Sequence, residues 1–409
     1  MESTKVKPRR KKPPPQNPIE TAITAWFHWS AHMQQLQFRL EELVAQAPKR
    51  WTIYEPMVLL PAGSFAAGIW EELLPSLPAD QTEALWGQIL AEISKRTGGT
   101  HLTHLAVNEG IPAALQHKPT EERSHTVETT EDCRARENIL RSPTGLRILH
   151  GDFGPASDDN TAPDFERAFW VSTRQNGVFQ TWAPRWTMFS RGNIKEKARL
   201  LDFQTRHLEN GVALESAWGV DLYAGIGYFA FSYAKLGMRV LCWELNPWSV
   251  EGLRRGAQGN GWSVRVVKDE NELALPMEEL LRGGERIIVF LEDNRHALRR
   301  FQELDGLDMN ILHVNCGLLP TSDTSWKDAW DIAAGSKGEE AWLHLHENVG
   351  VADIEKRKEG IEQYFLDLAH QDGCERTARV EHTELVKTFA PGVWHCVFDL
   401  YIKRTSSKT

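Results

Sequence analysis

The chain has 409 residues with 47 Lys and Arg against 56 Asp and Glu, a formal charge of −9 at pH 7, and 41% of it is hydrophobic. That length suits two domains, and the composition is that of an ordinary globular protein. No apolar run approaches the roughly 20 residues of a membrane-spanning helix, and the first residues lack the apolar core of a secretory signal. Cys133, Cys242, Cys316, Cys374 and Cys396 stand without CxxC spacing, which argues for a reducing, cytosolic location and against a zinc knuckle or disulfide framework.

Residues 1–17 read as a basic, proline-rich disordered tail, with a nuclear address or an RNA-clinging arm as the other readings. Asn17-Pro18 then caps a helix whose apolar positions, from Ile19 to Val44, recur on a helical period and end near Pro48. Residues 51–118 mix apolar pieces and imply an α/β region, and 119–140 is a charged surface loop, so 18–140 forms a smaller α+β N-terminal region. The segment 141–183 is β-rich. Residues 165–174 and 177–182 flank Asn176-Gly177, a dipeptide suited to a two-residue primed turn, and predict a hairpin.

From 184 to 405 strands alternate with helices: 219–225, 239–245, 286–292, 310–319 and 341–348 are strand-like, with a helix expected at 351–370. Alternation of this kind predicts a mostly parallel, doubly wound sheet. Two long strand-like runs meet at Ala390-Pro391-Gly392, an antiparallel close typical of the class I methyltransferase-like Rossmann fold: seven strands, the last antiparallel.

The run DLYAGIGYF places a strand, Gly225 and Gly227, and a helix in succession. Glycines there let a ligand approach the backbone, and a helix start offers amide hydrogens. The glycines alone do not separate a dinucleotide from another cofactor, because Ala230 at the third position fits that fingerprint too. The acids do. Asp221, just before the turn, would repel a pyrophosphate and favour an amino group or a sulfonium. Glu244 ends the next strand, where a carboxylate accepts both ribose hydroxyls, and Asp293 after the following strand suits an adenine amino group. Asp269, after residues 264–267, competes for that last role. Three acids after successive strands point to S-adenosylmethionine.

MFSRGNIKEKARL (188–200), followed by DLYAGIGYF and WELNP, resembles the tRNA guanine-37 methyltransferase and wybutosine-synthesis superfamily over about 140–405. Within it, 141–155, 313–322, 342–349 and 389–395 fit the branch that transfers a 3-amino-3-carboxypropyl group, in a fungal-looking form. The resemblance implies a donor held by Ser190, Lys197, Glu244, Asp293 and Asn294, release of methylthioadenosine, and 4-demethylwyosine at position 37 of tRNA(Phe) as acceptor. Methyl transfer to guanine-37 is the alternative. Any carbon on a sulfonium is electrophilic, so geometry decides which group leaves. The fourth strand ends Asn315-Cys316-Gly317 in place of the Asn/Asp-Pro-Pro-Tyr/Phe common in amine methyltransferases, which favours attack by carbon. No residue stands out as the base.

For the acceptor, Arg185, Arg191, Lys195, Lys197, Arg199 and Arg206 interleave with Trp182, Trp186 and Phe189. That composition suits an anticodon loop, although tryptophans packed on a core with a basic rim would read the same way. Arg185, Arg191, Asn315 and His344 are the candidate acceptor contacts. His344, His346 and His395 are read as packing or substrate contacts, not as a metal site.

Overall fold

In the computed structural model, residues 16–30, 33, 38–109, 143, 145–156, 163–207, 214–304, 309–373 and 375–405 are described. The basic tail up to residue 15 and the charged loop at 119–140 lie outside them. The chain divides into two compact units, 1–127 with 144–153, and 128–143 with 154–409.

In the first unit, the apolar period ending near Pro48 is split between two helices, Pro18–Trp29 and Leu40–Gln46. Asn17 caps the first by accepting from Ile19 N at 2.9 Å, with Pro18 in the first turn. Its buried stripe of Ile19, Ala22, Ile23 and Trp26 follows the i, i+3, i+4, i+7 rule. Trp26 and Trp70 are buried, and each gives its indole N–H to a backbone carbonyl, of Gln81 at 3.0 Å and Leu43 at 3.2 Å. Helices Ile69–Ser76 and Ala79–Arg96 accompany a four-stranded sheet ordered β1 (Thr52–Tyr54), β2 (Met57–Leu60), β3 (His104–Asn108), β4 (Leu146–His150). The β-rich 141–183 thus divides: β4 completes this sheet, while its later part forms a hairpin in the second unit.

That hairpin joins β5 (Val171–Gln175) to β6 (Val178–Trp182), pairing Val171 with Trp182 and Thr173 with Gln180. Asn176 and Gly177 take φ of 51° and 72°, the two left-handed positions of a type I′ turn. The main sheet contains β7 (Ala217–Asp221), β8 (Arg239–Trp243), β9 (Val264–Val267), β10 (Ile287–Phe290), β11 (Asn310–Cys316), β12 (Glu340–Gly350), β13 (Arg376–Ala390) and β14 (Val393–Arg404). Their order is β13-β14-β12-β11-β7-β8-β10-β9, and β14 alone runs against the rest. The sheet therefore has eight strands where seven were expected, because Val264–Val267 pairs in parallel with the outer side of β10.

Central strands are buried on both faces, as parallel sheets require. In β8, Val240 and Cys242 face one layer with Leu200, Phe203, Phe231 and Leu253; Leu241 and Trp243 face the other with Phe290, Phe301 and Trp330. Such a sheet leaves the carboxyl ends of its strands as the place for a ligand.

Candidate functional site

β7 ends at Asp221, and the chain then turns through Gly225 (φ +54°) and Gly227 (φ +86°), conformations that penalise any residue with a Cβ. Space is as restrictive as angle. A Cβ on Gly227 would fall 2.5 Å from Phe231 Cε1, and one on Gly225 would fall 3.0 Å from Tyr228 Cδ2. The turn uses its amides internally: Gly225 N donates to Glu244 Oε2 at 2.8 Å, and Gly227 N and Tyr228 N donate to Ala224 O. These amides are therefore not an open nest for phosphates, a departure from the helix-start site expected of the sequence. The regular helix begins only at Ala230.

Asp221 is fully buried. Its Oδ1 accepts from Asn315 Nδ2 at 3.1 Å and Tyr223 N at 3.2 Å, while Oδ2 has no partner at hydrogen-bond geometry. Burial lifts its carboxyl to about 6, against the pull of the Asn315 amide and of the Tyr223 and Ala230 N–H groups. A buried acid with an unused oxygen is the acceptor a cationic ligand needs. Glu244 is also raised by burial, opposed by backbone N–H groups; Asn246 N donates to its Oε1 at 2.8 Å. With Gly225 N on Oε2, each carboxylate oxygen is fixed once and keeps a second acceptor position.

Asp293 follows β10, the strand paired to β8, which puts it beside the Glu244 strand end. Asp269 follows β9, one strand farther out. Asp293 accepts from Arg295 N at 2.9 Å and pairs with Arg295 at 2.8 Å, which holds it below the usual carboxylate range. Asn294 Nδ2 donates to Leu222 O at 2.9 Å, tying the β10 end to the β7 end. Neighbouring Glu292 faces inward onto buried Arg300.

Ser190 reaches this edge through Tyr228, whose hydroxyl accepts from Ser190 N at 3.1 Å and donates to Met188 O at 2.7 Å. Lys197, 5% exposed, donates to Gln180 Oε1 at 2.7 Å and to Gln175 Oε1, and its Nζ lies 5.4 Å and 5.7 Å from the Phe189 and Tyr228 rings. Burial brings this amine down to about 7. Two of its three N–H donors serve the β5–β6 hairpin, leaving one. Ser190, Lys197, Asp221, Gly225, Gly227, Glu244, Asp293 and Asn294 thus gather around one sheet edge. Sequence reasoning missed Tyr228, which the GIGYF run offered, and Lys387, whose Nζ donates to Ser190 Oγ at 2.9 Å and which lies in a strand without any local signal.

Acceptor-side expectations need correction. His344 is fully buried between His313 (3.0 Å) and Asp399 (2.7 Å), so it packs inside the sheet layer and does not face an acceptor. Arg199 is likewise internal: it pairs with Glu196 at 2.7 Å and with Asp399. Asn315 is buried and serves Asp221, with its own Oδ1 unpartnered. The aromatics do not form an outward wall. Trp182 is 2% exposed and stacks on Phe189 at 4.1 Å, and Trp186 stacks on Trp248 at 5.0 Å. Arg191 is exposed, and half-buried Arg185 has an Nε without a hydrogen-bond partner. Among the described residues no three His, Cys, Asp or Glu side chains are grouped to hold a metal ion, and no helix is long and apolar enough to cross a membrane.

A glycine turn between a buried Asp and a strand-end Glu, on a sheet of this order closed by an antiparallel last strand, defines a class I methyltransferase-like transferase fold. Solved structures agree on the fold: the TYW2 protein of P. horikoshii, crystallised in complex with MeSAdo, superposes with a TM-score of 0.54 at 18% identity, over 94% of this chain and 100% of that one. No family model matches the chain. Individual relatives do. It is 37% identical to tRNA wybutosine-synthesizing protein 2 of Schizosaccharomyces pombe, over 90% of this chain and 76% of that protein. With the protein of the same name from Saccharomyces cerevisiae it shares 33% identity, over 88% and 75%. The chain belongs to the tRNA wybutosine-synthesizing protein 2 family.

Proposed function

We propose that this protein transfers the 3-amino-3-carboxypropyl group of S-adenosylmethionine to C7 of 4-demethylwyosine at position 37 of tRNA(Phe), releasing methylthioadenosine, in the cytosol. Family membership supports the acceptor, and one structural observation carries the donor: the unused Oδ2 of buried Asp221 beside a glycine turn fixed by Glu244. That pairing suits a ligand with a cationic end and a ribose. Glu244 takes the ribose hydroxyls, Asp221 the positive end, Asp293 with Asn294 the adenine side, and Ser190 with Lys197 the outer wall. Arg185 and Arg191 are the remaining candidates for the phosphates of the anticodon loop.

The chemistry is a displacement at carbon. The acceptor C7–H is replaced by a C7–C bond, the bond from sulfur to the aminocarboxypropyl carbon breaks with its electron pair going to sulfur, and the C7 proton leaves. What the protein supplies is alignment of the reacting carbons and fixed charges around the donor. Donor labelled in the carboxyl carbon should place its label in tRNA(Phe), while methyl label should leave on methylthioadenosine. Methyl label in tRNA would instead establish the guanine-37 methyltransferase reaction.

A further inference from the structure

We propose that Lys387 binds the carboxylate of the donor's amino-acid end and so anchors the group to be transferred. The inference rests on the donor reading just given and adds a residue to it. Lys387 lies on β13, half-buried, with Nζ donating to Ser190 Oγ at 2.9 Å. The 188–193 loop is fitted around it: a Cβ on Gly192 would come within 2.4 Å of Lys387 Cδ. An ammonium carries three N–H donors, and Ser190 takes one.

Charge balance marks two lysines at this edge, Lys387 and Lys197. Among the described residues no carboxylate lies within ion-pair distance of Lys387, and burial alone lowers its pKa. The buried guanidiniums Arg199 and Arg300 are matched by carboxylates, Arg199 by Glu196 and Asp399 and Arg300 by Glu292. His395, opposite Lys387 in the β13–β14 register, adds no negative charge, since burial and the Lys387 charge hold its pKa near 4 and keep it neutral. A half-buried ammonium without a counter-ion is partly desolvated, a cost that an anionic ligand would offset. Lys197 is the other such amine at this edge, and the two hairpin glutamines already engage it.

The missing anion has a natural source. Lys387 holds Ser190 Oγ, Ser190 N holds the Tyr228 hydroxyl, and the Tyr228 ring lies against Gly225. The open ammonium is thus tied by successive contacts to the glycine turn where the adenosine end is proposed to sit. The carboxylate of the donor belongs to the group that leaves sulfur, so gripping it fixes the carbon that the acceptor must reach. An RNA phosphate is the competing anion.

Calorimetry on the full chain separates these cases, because methylthioadenosine is the donor without its carboxylate-bearing arm. Lys387→Met should weaken S-adenosylmethionine binding on the order of tenfold to a hundredfold, as loss of charge-assisted hydrogen bonds implies. Methylthioadenosine affinity should stay within about twofold of wild type, and Lys387→Arg should restore much of the loss. Equal weakening of both ligands would reduce Lys387 to a structural prop and overturn the proposal. So would unchanged binding of both ligands with a fall in tRNA affinity and in its salt dependence, which would assign the lysine to a phosphate. A wild-type protein that binds neither nucleoside would remove the donor reading itself, and this proposal with it.

Discussion

Replacing Glu244 by Gln tests the ribose assignment with little change in volume. Each carboxylate oxygen accepts one backbone N–H at 2.8 Å, from Gly225 and from Asn246, and keeps a second position for a ribose hydroxyl. Glutamine retains one acceptor oxygen, and its NH₂ group must face the other N–H donor and the other hydroxyl. One charge-assisted hydrogen bond to the ligand is lost and its neighbour becomes a neutral one. Hydrogen bonds to charged groups contribute about 1.5–3 kcal/mol, so donor affinity should fall roughly 10- to 150-fold. Titration calorimetry with S-adenosylmethionine and with methylthioadenosine is the assay. Both carry the ribose, so both should weaken by the same factor, which sets this variant apart from Lys387→Met. A melting temperature close to wild type would show that the glycine turn survives. Unchanged dissociation constants for both ligands in such a folded variant would mean that the ribose is held elsewhere.

Asp221 predicts a pH dependence. Its carboxyl sits at about 6 in the free protein because of burial, so S-adenosylmethionine affinity should decline as pH falls through 6, and Asp221→Asn should bind weakly at every pH. The stability sign is the reverse: the folded pKa exceeds the unfolded one, so ionised Asp221 costs stability at pH 7 and that cost disappears as pH drops toward 4. Asp221→Asn should therefore melt no lower than wild type at pH 7. Asp399→Asn should strip Arg199 and His344 of their shared partner and lower stability by about 3–5 kcal/mol in urea unfolding, and a loss under 1 kcal/mol would mean that Arg199 and Glu196 suffice as a pair.

The parallel sheet was legible because its strands are short apolar runs between turn signals, and the same runs put Asp221, Gly225, Gly227 and Glu244 at strand ends. The Asn176-Gly177 turn was legible for the same local reason: only certain residues accept two positive φ angles in succession. What could not be read is non-local. β9 was not among the expected strands, and nothing in Val264–Val267 says that it pairs outside β10 and so adds an eighth. Arg199 and Asp399 are 200 residues apart, so a sequence shows two charges and not one buried pair. The same distance problem hid Lys387, 197 residues from the serine it contacts. His344 misled because alternating histidines on a strand look alike whether they face a ligand or another strand's side chains.

The buried charges explain why the wall proposed for the donor can be a loop and still hold a ligand in register. Ser190 immediately precedes the segment that leads into the helix Ile194–His207, and that helix is fastened from two sides. Arg199, paired with Glu196 one turn earlier, fixes it to Asp399 on β14, where burial raises Glu196 while His344 and Arg199 hold Asp399 ionised against its own burial. Lys197 fixes it to Gln175 and Gln180 on the hairpin. Ser190 is then held at its backbone by Tyr228 and at its side chain by Lys387. Displacement at a sulfonium needs no acid and no unusual nucleophile from the protein, but it does need the reacting carbons held in line, since a misplacement of about 1 Å can cost on the order of a hundredfold in rate. A core that commits this much charge to fixing one helix meets that need, and with the donor placed as proposed it leaves selection of the transferred group to Lys387 at the amino-acid end.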